Sequence, residues 1–360
     1  LCFVFGPGSI ENRRWKENAK DKEPGTKNKY LTRLNCATDD RTDMAKSRKR
    51  KSPPLSEITS LKNGRFQIRE HAFWYHLPDQ NFPPPTIEQI EDYDGSDRLA
   101  LACTQTLLKA SEQKKLVQRW CEYLPTLKKL KYLWLESRVP QPLFDAATQL
   151  SRLTGLYVKW GGIKDFSSIS GMTNLRALWV GSNKSLQRLE ALHALKKLQW
   201  LQFENIPASG DLAFLRGLPQ LRGLEICGDW HSMKKLKVKS LKPLEALPKL
   251  EWLRLSVITA PADELVSLGK LPKLKYLHLD NTWPMESLAD LAGRLPHLDC
   301  SVFQPVFAEV QWMDCKKCGQ KSLVMVTGKG IRPLCRDCDA ERIRRHVEKF
   351  EELVAAAKQK

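Results

Sequence analysis

The sequence predicts an α/β solenoid: a curved parallel sheet of stacked short repeats, preceded by a helical cap and closed by a small metal-binding module ending in a helix. Three observations carry this. An L-x-x-L-x-L pattern recurs eight times between Leu130 and Cys300. Two Cys-x-x-Cys pairs follow it, Cys315/Cys318 and Cys335/Cys338. Hydrophobic residues make up 42% of the 360-residue chain, enough for a core. No apolar run approaches the roughly 18 residues of a membrane-spanning helix.

Residues 1–60 are polar, basic and aperiodic and read as a disordered arm. The first residue is Leu1, and the first methionine, Met44, precedes Lys46–Lys51. Either the chain is a fragment, or residues 1–43 are translated from upstream of a natural start at Met44; they are not expected to belong to a folded domain. The Lys46–Lys51 run reads as a solvated basic start, with a localisation or nucleic-acid patch as the alternative. Residues 61–123 form a lead-in and cap. Phe73-Trp74-Tyr75 and Pro83-Pro84-Pro85 suggest an ordered but irregular stretch. Leu99, Cys103, Leu107, Leu108, Leu116, Val117 and Trp120 then suit one or two amphipathic helices from about Asp97 to Tyr123, with Ser111 as a start for the second.

Residues 124–300 hold the repeats. Their first leucines are spaced 23, 22, 23, 23, 29, 24 and 21 residues apart. Each unit reads as a strand, a turn and a short helical return, and none can bury its apolar edge alone, so neighbours must stack. Leu189, Leu192, Leu195 and Leu198 place one apolar residue inward per tight turn, as do Leu241, Leu244, Leu247 and Leu250.

This pattern resembles the leucine-rich repeat family, in its short class of about 22 residues found in bacterial internalins and a phosphatase-regulator group. The resemblance spans Leu124 to Cys300. The family's turn asparagine appears only as Asn183; Arg138, Gly161, Ile206, Asp229, Ile258 and Thr282 stand at the equivalent positions.

Residues 301–360 form the tail module. Sixteen residues separate the two Cys pairs, within the spacing of a structural zinc site. Ser322–Thr327 reads as a strand, Gly328-Lys329-Gly330 as a turn, Ile331–Leu334 as a return strand and Ala340–Lys358 as a helix. The arrangement resembles a zinc ribbon or a treble-clef finger. Four thiolates, Cys315, Cys318, Cys335 and Cys338, would close the shell around one structural zinc ion. A redox pair or free thiols are the alternative. A RING-type ligase, needing eight ligands, is disfavoured.

Strand alternation sends the x positions of L-x-x-L-x-L to the concave face. One column reads Trp134, Tyr157, Trp179, Gln202, Glu225, Arg254, His278, Asp299. The other reads Tyr132, Gly155, Ala177, Trp200, Gly223, Trp252, Tyr276, His297. Solvent-facing Tyr132, Trp134, Tyr157, Trp179, Trp200 and Trp252, with Arg254, are expected to bind a protein or peptide; mutual stacking that merely stabilises the sheet is the alternative. The 29-residue spacing leaves room for a basic loop around Trp230–Lys235.

No P-loop, G-x-G-x-x-G, G-x-S-x-G or H-E-x-x-H motif occurs, so no enzyme is expected. Ten cysteines are too few for a disulfide scaffold, and Leu1–Phe5 is too short for a signal-peptide core, so a cytoplasmic location is expected. The net charge of +18 reads as spread along the chain. The expected function is a non-enzymatic protein- or peptide-binding module. The alternative is a nucleic-acid-associated zinc-ribbon protein acting through its basic arm and tail.

Overall fold

The computed structural model describes residues 82–359 and the paired short strands β1 (Leu61–Lys62) and β2 (Arg65–Phe66). The basic arm, Met44 and Phe73-Trp74-Tyr75 lie outside the described residues.

A nine-stranded parallel sheet organises the rest. Its strands are β3 (Thr86–Ile87), β4 (Arg98–Leu101), β5 (Tyr132–Pro140), β6 (Gly155–Gly162), β7 (Ala177–Val180), β8 (Trp200–Glu204), β9 (Gly223–Cys227), β11 (Trp252–Ser256) and β13 (Tyr276–Leu279). They lie side by side in chain order. The intervening β10 (Leu236–Lys237) and β12 (Ile258–Thr259) pair separately. Returns between strands are helix α2 (Gln141–Thr148) and then 3-10 turns such as Leu189–Ala194 and Lys242–Ala246. Stacked parallel strands with these tight returns have the architecture of a leucine-rich repeat solenoid.

The register follows the repeat. Leu133, Leu156, Leu178, Leu201, Leu224, Leu253 and Leu277 pair strand to strand and are all buried in one continuous core. The opposite residues align as the two concave columns.

Two expectations are corrected at the ends. Residues 98–101 form strand β4 rather than helix; helix α1 occupies only Ala110–Tyr123. The period-two alternation explains this, because Leu99 and Leu101 enter the leucine core while Ala100 lies beside Trp134 on the other face. Helix α1 buries Leu116 and Trp120, whose indole N–H reaches the Glu88 carbonyl at 2.8 Å.

At the far end the eighth copy, Leu295–Cys300, is not a strand of the sheet. Before each of β6, β7, β8, β9, β11 and β13 one residue extends the ladder: Thr154, Arg176, Gln199, Arg222, Glu251 and Lys275 donate their N–H to the preceding repeat. The next equivalent residue is Pro296, which has no N–H to donate.

Helix α3 (Met285–Arg294) stands in the last return. Beyond it β14 (Val306–Glu309), β15 (Leu323–Val326) and β16 (Leu334–Cys335) form an antiparallel sheet, and helix α4 spans Ala340–Lys358. Helix α4 packs on α3 so closely that a Cβ at Gly293 would come within 2.6 Å of both the Ala357 Cβ and the Val354 carbonyl. Phe350 joins the solenoid core. Asn281 ties the two parts further, donating to the Val326 carbonyl at 3.0 Å and accepting from the Gly328 N–H at 2.7 Å. The tail thus caps the last repeat. No helix among the described residues is long and apolar enough to cross a membrane.

Candidate metal centre and concave face

The two Cys pairs arrive from different elements. Cys315 and Cys318 occupy the turn before β15, where the Gly319 N–H closes back on the Cys315 carbonyl at 2.8 Å. Cys335 ends β16, and Cys338 lies just before α4. The four sulfurs lie within 4.8 Å of one another, a cluster that can hold a metal ion. Cys315 to Cys338 is 3.9 Å and Cys318 to Cys335 is 3.7 Å. A disulfide needs about 2.05 Å. A tetrahedral ion with metal–sulfur bonds of about 2.3 Å has sulfur–sulfur edges of about 3.8 Å. The donor set therefore fits such an ion.

The surroundings agree. Hydrogen bonds from the Ser322 hydroxyl and the Cys338 backbone pull the Cys335 thiol well below its usual range. Crowding by the other sulfurs, Cys318 first, pushes Cys338 up to about 12. Four thiols at this spacing cannot all ionise unless a cation joins them. Asp339 braces the turn, accepting from the Cys335 N–H at 3.1 Å and pairing with Lys317 at 3.0 Å.

The concave face departs from the expectation of exposed aromatics. Trp134 and Trp252 are 0% exposed, Trp200 2%, Tyr157 8% and Trp179 9%; Arg254 is 9% exposed, and only Tyr132 is half-buried. The aromatic residues form a second cluster with Phe82, Ala100, Ala177 and Tyr276. The cause is the small residues of the second column, Gly155, Ala177 and Gly223, which leave room for neighbouring rings to lie down. The Trp200 ring lies flat across Gly223, where a Cβ would come within 2.1 Å of it. Tyr157 stacks on Trp179 with centroids 4.3 Å apart, and Trp252 on Tyr276 at 5.4 Å. Phe82 meets Trp134 edge-on at 4.6 Å. Rings laid along the sheet cover one another instead of standing in solvent.

Charged groups continue the same columns. Arg254 sits 3.7 Å from Glu225, donates to Ser256 at 3.2 Å and lies 5.2 Å over the ring of Trp230. His278 and Asp280 are 3.5 Å apart. Burial opposes ionisation of Asp280, but hydrogen bonds from His278 and the Val257 N–H hold its carboxyl below the usual range. Burial, then the carboxylates of Glu225 and Asp229, push Glu204 up to about 7.

Glu204 and Trp230 were missing from the expected site. Glu204 falls one position past the repeat's last apolar residue, so the register could have placed it. Trp230 belongs to the extra residues of the long fifth repeat. That stretch turns back on itself with residues 231–235 exposed: Asp229 bridges to Lys234, and β10 pairs with β12.

The raised Glu204 carries a pH prediction. The folded state holds this proton to higher pH than the unfolded chain, so it binds more protons between the ordinary value of 4.5 and about 7. Stability falls as pH rises through that window and stays lower above it. Glu204→Gln is expected to be near neutral at about pH 4 and stabilising by ~1–2 kcal/mol at about pH 8, compared by denaturant midpoints at the two pH values.

No protein-family profile matches the chain, and no curated protein does. Solved structures similar to it are leucine-rich repeat proteins. One is internalin C2 of Listeria monocytogenes, 22% identical, with 45% of this chain and 65% of that one covered and a TM-score of 0.33. Another is a leucine-rich repeat protein of Leptospira interrogans, 23% identical, with 49% and 50% covered and a TM-score of 0.37. A further internalin of Listeria monocytogenes is 16% identical, with 57% and 72% covered and a TM-score of 0.34. The chain thus spans 65% and 50% of the first two.

Proposed function

We propose that this chain is a non-enzymatic protein- or peptide-binding module acting through its concave face, with one structural zinc ion in the Cys315, Cys318, Cys335 and Cys338 centre. The observation that supports binding is the convergence of Glu204, Glu225, Arg254, His278 and Asp280 from four neighbouring strands in a half-buried polar cluster. Partly desolvated charges cost a fold stability, and such groups gather where something is recognised. Tyr132, Trp134, Tyr157, Trp179, Trp200 and Trp252 serve as a rigid floor beside this cluster, and Arg254 is its central polar contact. Zinc is the proposed ion because four thiolates at tetrahedral spacing are its usual closed structural shell, which leaves no position for catalysis.

The alternative of nucleic-acid binding through the tail draws less support. Arg344 pairs with Glu341 and Glu348, Arg345 with Glu341, and Lys317 with Asp339. Selecting peptides from a displayed library against the full chain tests the leading reading. Selected peptides are expected to lose roughly tenfold or more in affinity for Arg254→Ala, as at a binding hot spot. Enrichment of nothing, or equal binding to wild type and variant, would overturn it.

A further inference from the structure

We infer that the edge of the solenoid at the strand starts is a binding surface for the phosphate backbone of a duplex nucleic acid. The inference does not depend on the concave face or the metal centre.

The parallel topology brings every turn that precedes a strand to one edge. The residue just before each repeat's first leucine gives one column from β5 to β13. It holds the exposed cations Lys129, Arg152, Lys197, Lys249 and Lys273. The other two members are amides, Asn174 and Gln220. The residue just after that leucine gives the second column, with Lys131, Arg176, Arg222 and Lys275. Backbone hydrogen bonds of 2.8 Å join this second column from one repeat to the next, so its members stand at strand spacing. Lys128 and Lys196 flank the columns.

Acids are scarce here. Glu251 is the one acidic member of the two columns, pairing with Arg222 at 3.0 Å and Lys275 at 3.3 Å. Asp97, at the β4 end, pairs with Lys131 at 3.4 Å. Lys197 and Lys249 donate to the neutral amides of Asn174 and Gln220 at 2.7 and 2.6 Å, contacts that confirm the spacing and neutralise nothing. Lys128 donates to the Pro125 carbonyl at 2.8 Å and Lys196 to the Gly217 carbonyl at 3.3 Å, again without loss of charge.

The opposite edge has the reverse character. Its equivalent column, one residue past each strand's last apolar position, reads Glu136, Lys159, Gly181, Glu204, Cys227, Ser256 and Asp280. The two columns at the strand starts thus carry nine cations and one acid, while the equivalent column at the strand ends carries three acids and one cation.

Seven strands at about 4.8 Å make the stripe about 30 Å long, close to the 34–36 Å of one duplex turn. A linear row of cations is the electrostatic footprint of a polyanion. The two columns hold no aromatic side chain. Unpaired bases are normally held by stacking on aromatics, so a surface without them fits a backbone whose bases are already paired.

The test titrates the full chain with a labelled duplex of about 25 bp, a single strand of equal length and polyglutamate, over about 50–200 mM salt. Lys129→Ser, Arg152→Ser, Lys197→Ser and Lys273→Ser are combined in one variant. Lys164→Ser, Lys184→Ser, Lys234→Ser and Lys237→Ser, exposed cations away from the edge, form the control. The edge variant should lose at least tenfold in duplex affinity, and its slope of log K against log salt should flatten by about 3–4. The control should stay within about threefold, and both variants should melt like wild type. Equal losses in both variants, or no duplex binding by wild type, would overturn the inference. Tighter binding of the single strand would overturn the duplex assignment, and tighter binding of polyglutamate would point to an acidic polypeptide instead.

Discussion

Cys335→Ser is expected to empty the metal centre and unfold the strands around it while the middle of the solenoid survives. The local core is small. One cluster is Val310, Cys315, Leu323 and Cys335, and the other is Val324, Val326 and Leu334. Structural zinc in finger peptides contributes on the order of 10–16 kcal/mol, far more than such clusters supply. Wild type should carry about one zinc per chain by elemental analysis, and the variant essentially none. In hydrogen exchange, β14 to β16 should lose protection in the variant and in chelated wild type. Helix α3 should loosen next, because α4 covers it at Gly293. Strands β5 to β9, two or more repeats from the last strand, should keep their protection, as expected of a stack held by nearest-neighbour contacts. Unchanged exchange in protein shown to be metal-free would sink the structural role.

Trp134→Ala is expected to destabilise the solenoid by about 3–5 kcal/mol, the usual cost of removing a buried aromatic. Trp134 is fully buried between Phe82, Ala100 and Tyr157, on the face first expected to be wet. Trp160→Ala is the comparison: that ring is 43% exposed and should cost no more than about 0.5 kcal/mol. Denaturant midpoints of the two variants decide the matter. Equal, small losses would mean that the concave aromatics are a binding face with little part in stability.

Much of this architecture was legible in the chain. The leucines at 133, 156, 178, 201, 224, 253 and 277 occupy paired positions in the sheet, because a parallel stack in constant phase leaves one register that buries them all. Helix α4 begins at Ala340 and ends at Lys358, as its periodicity requires. The four cysteines come together because their spacing leaves a hairpin between the pairs. Strand β4, next to the first repeat, is not legible. Arg98–Leu101 is too short for its alternation to stand out from the helical spacing of Leu99, Cys103 and Leu107.

The sequence by itself determined the solenoid, the direction of each side chain and the grouping of the cysteines, since these follow from local periodicity and spacing. Only the tertiary structure decided whether the concave aromatics are wet or buried. Alternation places Trp200 on that face, but whether its ring stands up or lies across Gly223 depends on the neighbouring strand. Tertiary structure likewise decided where the charge goes. Lys129 and Lys273 are 144 residues apart in sequence, and only a parallel stack sets them on one edge, about 4.8 Å per strand along the same line.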